Sequence, residues 1–353
     1  MSTKFLWTSF FDDFGTLAKK DEAQSMDIST SQFFRLLGWI VSTGDKDLPF
    51  SKSFKALGVE IDFSSWSGRK VTFRNTQKRV QELRAAIGVA IESGKLSASE
   101  ALSLRGRMQF AKSQIWGRSA KLCLSAVIAH AYSANGSTIS DHTRACLMTF
   151  HSCLANSRPR EITSSWGDSF FLFTDACFKP EDESWPCGLG GVLCDSTGRQ
   201  VAAISIPLSF ADLEILGYPA KSTVIFEAEL LALVLCVKIW KKALCHKPCV
   251  MYVDNNSTRE VSISGSARTH PRSAMVGLLL QQEDSACVKA WYSRFPSESN
   301  YCDPPSRNSS EGIHVEFLPQ DFVVLHLRRG SCRSCQIPVN VGGFHGAISL
   351  LRF

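Results

Sequence analysis

The chain has 353 residues, 44% of them hydrophobic and 20% charged, with a net charge of +6. That composition excludes a disordered or fibrous protein and allows two or three globular domains. No run approaches the roughly 20 uncharged apolar residues of a membrane span. The opening MSTKFLWTSFFDDF carries acids where a signal peptide would have its cleavage region. The expectation is an intracellular protein, in cytoplasm or nucleus, neither secreted nor membrane-bound. The 13 cysteines stand singly in apolar segments, as Cys123, Cys194 and Cys236 do. They read as buried thiols rather than a disulfide framework.

In chain order, residues 1–70 read as short strands and turns: a strand over 5–11, an Asp-Asp turn, and a hairpin-like pair over 54–63 around SWSGRK. From Asn75 to about Ala134 the pattern is helical. Val80, Leu83, Ile87 and Ile91 recur at three and four residues, Gly94 interrupts, and Ser97 with Glu100 is a capping box. Asn135, Gly136 and Ser137 punctuate, a further helix covers 141–154, and SRPREITSSWGDS reads as a linker. Strands follow at 170–174, 188–194 and 200–207, with DSTG as the turn between the last two. Thr223 caps a helix whose Phe226, Leu230, Leu233, Val234, Val237 and Trp240 make one apolar stripe. Then come a strand at 250–253, helices at 257–264 and 273–282, a strand at 287–291, and a final turn or helix opened by Asp303. A crossover through the Thr223 helix lays the 250–253 strand parallel to the 170–174 strand and beside it. The tail 311–353 has weak periodicity and no assignment.

Charge is unevenly placed. Between Arg69 and Lys121 twelve Lys or Arg stand against three acids, whereas between Asp168 and Ser310 thirteen bases stand against sixteen acids. The first stretch would attract a phosphate backbone, with Lys78, Arg79, Arg105, Arg107 and Lys112 as candidate contacts. The second holds four acids in telling contexts: Asp175 in FFLFTDACF, Glu229 in IFEAELLALVL, Asp254 in CVMYVDNNS and Asp303 in SNYCDPPSR. The first three sit where an apolar element begins or ends, so a fold that gathers those ends gathers the carboxylates. Carboxylates so gathered repel one another unless a cation joins them. Two hard divalent cations on oxygen ligands would drive an in-line phosphodiester displacement. Glu227 competes with Glu229 but points to a different face of the helix. Asn255 and Asn256 are amide donors beside this group.

With these residues laid out, the chain resembles the end of a retrotransposon reverse transcriptase followed by a type 1 ribonuclease H, in particular those of tyrosine-recombinase (DIRS-like) elements. FFDDF is similar to the Y-x-D-D box of a polymerase palm, with Phe10 for Tyr and Asp12 and Asp13 as its acids. FKALGVEID resembles a primer-grip hairpin, with Lys46 upstream. ALSLRGRMQFA resembles a thumb helix. TDAC, AELLAL, YVDNN and NYCDPPSR resemble the four acidic boxes of the nuclease. The implied fold is α/β: a ribonuclease H-like mixed five-stranded sheet with flanking helices over 165–310, preceded by a partial α+β palm over 1–70 and a helical thumb over 71–160.

The resemblance implies hydrolysis of the RNA strand of RNA–DNA hybrids by two Mg²⁺ ions, with Mn²⁺ as a substitute. Asp175 would bridge both ions, Asp303 would hold the one that activates water, and Glu229 with Asp254 the one at the leaving 3′ oxygen. RNA would be recognised through its 2′-hydroxyls, and Asn255 and Asn256 are placed for such contacts. The sequence departs from the family in two ways. The upstream palm aspartate and fingers are not in it, so polymerase activity is not expected of this chain alone, and the missing polymerase portion is an expected partner. The loop FPSESN also lacks the family's histidine, which implies slower product release. CRSC, Cys332 to Cys335, with His326 and His345 lacks the further Cys and the tighter His of a zinc knuckle. Two alternatives remain: a nucleic-acid-binding fragment without catalysis, and a D-D-E transposase or integrase. The position of Glu229 between the first two aspartates disfavours the latter.

Overall fold

The computed structural model describes residues 6–10, 13–40, 49–133, 136–156, 158–164, 167–215, 224–267, 270–309 and 316–317. Strands β1 (Leu6–Phe10) and β2 (Asp13–Leu17) form an antiparallel hairpin. A 14-residue helix follows, α1 (Ala23–Leu36), within a stretch expected to hold only strands and turns. Its buried anchors Met26 and Phe34 are eight residues apart, too sparse to stand out as a helical stripe.

A second sheet joins β3 (Ser53–Ala56), β4 (Val59–Asp62), β5 (Lys70–Asn75) and β6 (Arg160–Thr163) in that order, all antiparallel. The hairpin closes at Leu57 and Gly58, both at positive φ, and SWSGRK joins β4 to β5 instead. The expected linker thus contains a strand. REIT alternates exposed and half-buried residues along the sheet edge, with a burial contrast too weak to mark it as a strand.

Between β5 and β6 lie α2 (Gln77–Ser93), α3 (Ala98–Lys112), α4 (Ala120–Ala131) and α5 (Asp141–Asn156). Leu83, Ile87, Leu104, Met108, Val127, Leu147 and Phe150 fill their shared core. Thr76 caps α2, and Gly94 ends it in the left-handed region. The expected box opens α3: the Ser97 N–H donates to Glu100 Oε2 at 2.8 Å, and the Glu100 N–H returns to Ser97 Oγ at 3.4 Å.

The main sheet contains β7 (Phe170–Phe178), β8 (Cys187–Cys194), β9 (Gln200–Leu208), β10 (Pro248–Val253), β11 (Lys289–Arg294) and β12 (Glu316–Phe317). Its order is β11-β10-β7-β8-β9-β12. β8 is antiparallel to β7 and β9, and β10 is parallel to β7, as expected, and also to β11. The five expected strands gain a short sixth, parallel to β9, from the unassigned tail. The expected mixed α/β sheet with flanking helices is present.

Helices α6 (Phe210–Ile215), α7 (Ile225–Ile239), α8 (Lys241–Leu244), α9 (Asn256–Ser264), α10 (His270–Ala286) and α11 (Asp303–Ser306) complete the chain. Thr223, the expected cap of α7, lies outside the described residues, as do CRSC, His326 and His345. α7 is not striped. Every residue from Phe226 to Val237 is buried, because the helix lies between the sheet and α10. No described helix is long and apolar enough to cross a membrane.

Side chains alternate along β7 and β8. Leu172, Ala176, Leu189 and Leu193 face α7, while Phe173, Val192 and Cys194 face Cys302 beside α11. Gly188 and Gly190 share the latter face. A Cβ on Gly190 would lie 2.6 Å from the Ser306 nitrogen and 2.8 Å from the Cys302 oxygen, and one on Gly188 would strike the Ser306 carbonyl. The glycines let α11 lie flat on the sheet. Gly190→Ala is expected to lift α11 and cost about 1–3 kcal/mol, read as a lower denaturation midpoint. Val201→Ala on an exposed stretch of β9 is the control, and equal stability of the two variants would contradict the close approach.

Candidate active site

The parallel register Tyr252↔Phe173 continues two residues on to bring Asp254, just past β10, alongside Asp175. Asp175 itself is paired with Gly190 inside β7, three residues before the strand's end. The expectation that it marks the end of an element is therefore corrected. The antiparallel pairing with β8 runs on past Asp175 to Phe178↔Cys187.

Asp175 faces α11, where the Ser306 hydroxyl donates to its Oδ2 at 2.7 Å. The residue is 7% exposed. Burial, helped by the charges of Asp254 and Asp303, pushes its carboxyl up to about 6 despite that hydrogen bond. Glu229, in the second turn of α7, is held over the turn between β10 and α9. Asn255 Nδ2 donates to its Oε1 at 3.2 Å and Thr258 Oγ1 to its Oε2 at 3.0 Å. Burial first, then Asp254 and Asp175, push Glu229 up to about 8. Asp254 accepts from Ser297 Oγ at 3.0 Å through Oδ2, while its Oδ1 is enclosed without a hydrogen-bond partner. Asp303 opens α11 and forms an ion pair with Arg307, 2.8 Å from Oδ1 to Nη2.

The four predicted acids thus act on one another electrostatically. Among the described residues, however, no group of three or more His, Cys, Asp or Glu side chains is arranged to hold a metal ion. The arrangement is a set of mutually repelling acids on oxygen ligands, with one orphaned carboxylate oxygen, and not a closed coordination shell. The donor set fits a hard divalent cation in charge and chemistry. Bringing the ligands together would require them to move inward. Glu227 is also buried, in the first turn of α7, but it is Glu229 that Asn255 and Thr258 hold.

The remaining predicted residues divide. Asn255 caps α9, its oxygen accepting from the Ser257 and Thr258 N–H groups while its amide holds Glu229. One of its amide hydrogens thus positions Glu229. Asn256 is exposed. Lys78 and Arg107 are exposed on α2 and α3, and Arg105 and Lys112 are half-buried. Arg79 is committed internally: its Nη2 donates to the Leu57 carbonyl at 2.7 Å, and its guanidinium lies 4.2 Å from the Phe110 ring centroid. Asp13 opens β2 opposite Phe10, and Asp12 and Lys46 lie outside the described residues. Sequence reasoning assigned no role to Thr258, Ser297, Ser306 or Arg307. The signal for two of them was adjacency, since Ser306 and Arg307 end the NYCDPPSR motif.

No family model and no curated protein matches the chain. Among solved structures it is similar to RNase H1 from the halophilic archaeon Halobacterium salinarum NRC-1, at 14% identity and a TM-score of 0.32, over 41% of this chain and 98% of that one. It is similar to LC11-RNase H1 in complex with an RNA/DNA hybrid, at 13% identity and a TM-score of 0.32, over 40% of this chain and 97% of that one. It is also similar to a foamy viral protease-reverse transcriptase in complex with double-stranded DNA, at 12% identity and a TM-score of 0.38. That match covers 82% of this chain and 46% of that one.

Proposed function

We propose that this chain is a divalent-metal-dependent nuclease that hydrolyses the RNA strand of RNA–DNA hybrids, as the ribonuclease H part of a retrotransposon reverse transcriptase. The observation that carries the reading is the group formed by the buried Asp175 and Glu229 with the half-buried Asp254, the first two pushed far above the usual carboxylate range. Buried acids with raised pKa values that face one another cluster at functional sites. With Asp303 they are the residues that would hold Mg²⁺. When bound, the ions supply neutralisation of the charge that develops during in-line displacement at phosphorus.

The chain's own residues prepare the site. Thr258 and Asn255 fix both oxygens of Glu229, Ser306 aims Asp175, and Ser297 leaves Oδ1 of Asp254 free for a cation. Glu229, at about 8, carries its proton at neutral pH in the metal-free protein. Binding of the cation must displace that proton, so Mg²⁺ affinity and cleavage are expected to rise with pH up to about 8.

The test is cleavage of an end-labelled RNA–DNA hybrid by the purified chain with and without Mg²⁺, alongside double-stranded DNA and RNA. Expected is Mg²⁺-dependent cutting of the RNA strand of the hybrid alone, leaving 5′-phosphate and 3′-hydroxyl ends. Tight hybrid binding with no cut at any pH would instead establish the binding fragment. The Arg307 guanidinium on Asp303 is the observation that favours this second reading, since it already neutralises one expected ligand.

A further inference from the structure

The segment after α3 runs along the start of β6. The Arg160 N–H donates to the Gln114 carbonyl at 3.0 Å, and the Trp116 N–H to the Arg158 carbonyl at 2.8 Å. This pairing brings Arg160 beside Lys112, the last residue of α3, and the chain then turns through Arg118 into α4, where Lys121 follows. Four cations from three elements converge, and the acids nearby are already engaged. Glu283 of α10 takes Arg118 Nε and Nη2 at 2.9 and 2.7 Å, and Asp284 accepts the Arg118 and Ser119 backbone N–H groups at 2.8 and 2.9 Å. Lys121 donates to the Ser264 carbonyl, and Arg160 Nη1 reaches the Ser113 carbonyl at 3.5 Å.

Lys112 is left over. Among the described residues its ammonium makes no hydrogen bond or ion pair, although it is half-buried. Burial first, then Lys121, Arg160 and Arg118, lower its pKa, and the Asp284 carboxylate, already held by the Arg118 and Ser119 N–H groups, offsets them only in part. An unpaired, partly desolvated ammonium among three other cations is a costly arrangement. An anion would relieve it.

We propose that Lys112, Lys121 and Arg160 form a phosphate-binding site at the seam between the helical unit and the main sheet. A carboxylate offers two oxygens and one charge, whereas a phosphate group accepts from several donors at once and suits this set better. The site is continuous with further basic surface. Arg105 lies seven residues earlier on the same face of α3, about 10 Å away along the helix axis. A track of that kind suits successive groups of a nucleic-acid backbone. The backbone as the source rests on the hybrid-binding reading above. The anion site itself does not.

The experiment compares the full chain with Lys112→Gln and Lys112→Arg. In the first arm, thermal melts are recorded with and without inorganic phosphate. Phosphate is expected to raise the Tm of the wild type and of Lys112→Arg but not of Lys112→Gln. Without phosphate, Lys112→Gln should melt roughly 2 °C above the wild type, because a repelled cation is gone. In the second arm, binding of an RNA–DNA hybrid is titrated against salt with Ca²⁺ in place of Mg²⁺. Lys112→Gln should weaken binding and lower the slope of log affinity against log salt by about 1, and Lys112→Arg should restore it. A loss in the first arm alone assigns the site to free phosphate, and a loss in the second assigns it to the backbone. Wild-type behaviour of Lys112→Gln in both arms overturns the proposal. A wild type that never cuts hybrid, yet shows the phosphate shift, would refute the proposed reaction and leave this site standing.

Discussion

Asp175→Asn is expected to reduce hybrid cleavage by roughly 10³-fold or more while making the metal-free protein more stable. The two effects share one cause. Asp175 is buried among other acids and its carboxyl is pushed from 3.8 up to about 6, so the folded state binds its proton more tightly than the unfolded chain. For a carboxyl raised in this way the penalty is absent below about pH 4, grows between the two values and is complete above about 6. Asn keeps the shape and accepts the Ser306 hydrogen bond without the charge. The variant should therefore match the wild type near pH 4 and exceed it by on the order of 2 kcal/mol at pH 8. Glu229→Gln should behave alike, with its gain appearing up to about pH 8. Unfolding titrations at the two pH values, beside hybrid cleavage, read both effects. A variant equally destabilised at both would mean that Asp175 supports the fold rather than a cation.

The second large effect is expected at Arg118. Its guanidinium forms a two-point pair with Glu283, whose side chain is 4% exposed, and its Nη1 reaches the carbonyls of Ser262 and Ile263 at 2.8 and 3.2 Å. The Tyr292 hydroxyl also donates to Glu283. Burial pushes both Glu283 and Asp284 up, and Arg118 pulls both back. Arg118→Ala leaves a buried carboxylate without its cation, at a cost of about 3–5 kcal/mol. Both carboxyls would then rise further, so the loss should be largest at alkaline pH and shrink towards pH 4. Denaturant unfolding at pH 5 and pH 8 measures the difference. A loss independent of pH would show that packing, not charge, holds the seam.

Much of the sheet and the identities of the acids were legible from sequence, since period-two apolar runs bounded by turns mark β7 to β11 and the acids fall beside them. What was not legible depends on partners far along the chain. Ser306 is 131 positions from Asp175, and Arg118 is 165 from Glu283. No local spacing announces such pairs. β6 escaped because REIT alternates along an edge with little contrast. α7 read as a stripe because only one face was weighed, whereas α10 covers the other. That Arg79 reaches the Leu57 carbonyl and the Phe110 ring, and Asn255 reaches Glu229, was not legible either, because those partners are distant in sequence.

The alternating pattern of Gly188, Leu189 and Gly190 also acts as a registration key for assembly. One surface of β8 must present only hydrogen atoms to the Ser306 backbone, while Leu189 fills the opposite layer. Sliding that strand by a single position would drive an isobutyl group into the α11 main chain and put a glycine where Leu189 fills the opposite layer. A slip of one position is thereby rejected sterically, and the alignment that closes is the one in which the Ser306 hydroxyl reaches Asp175.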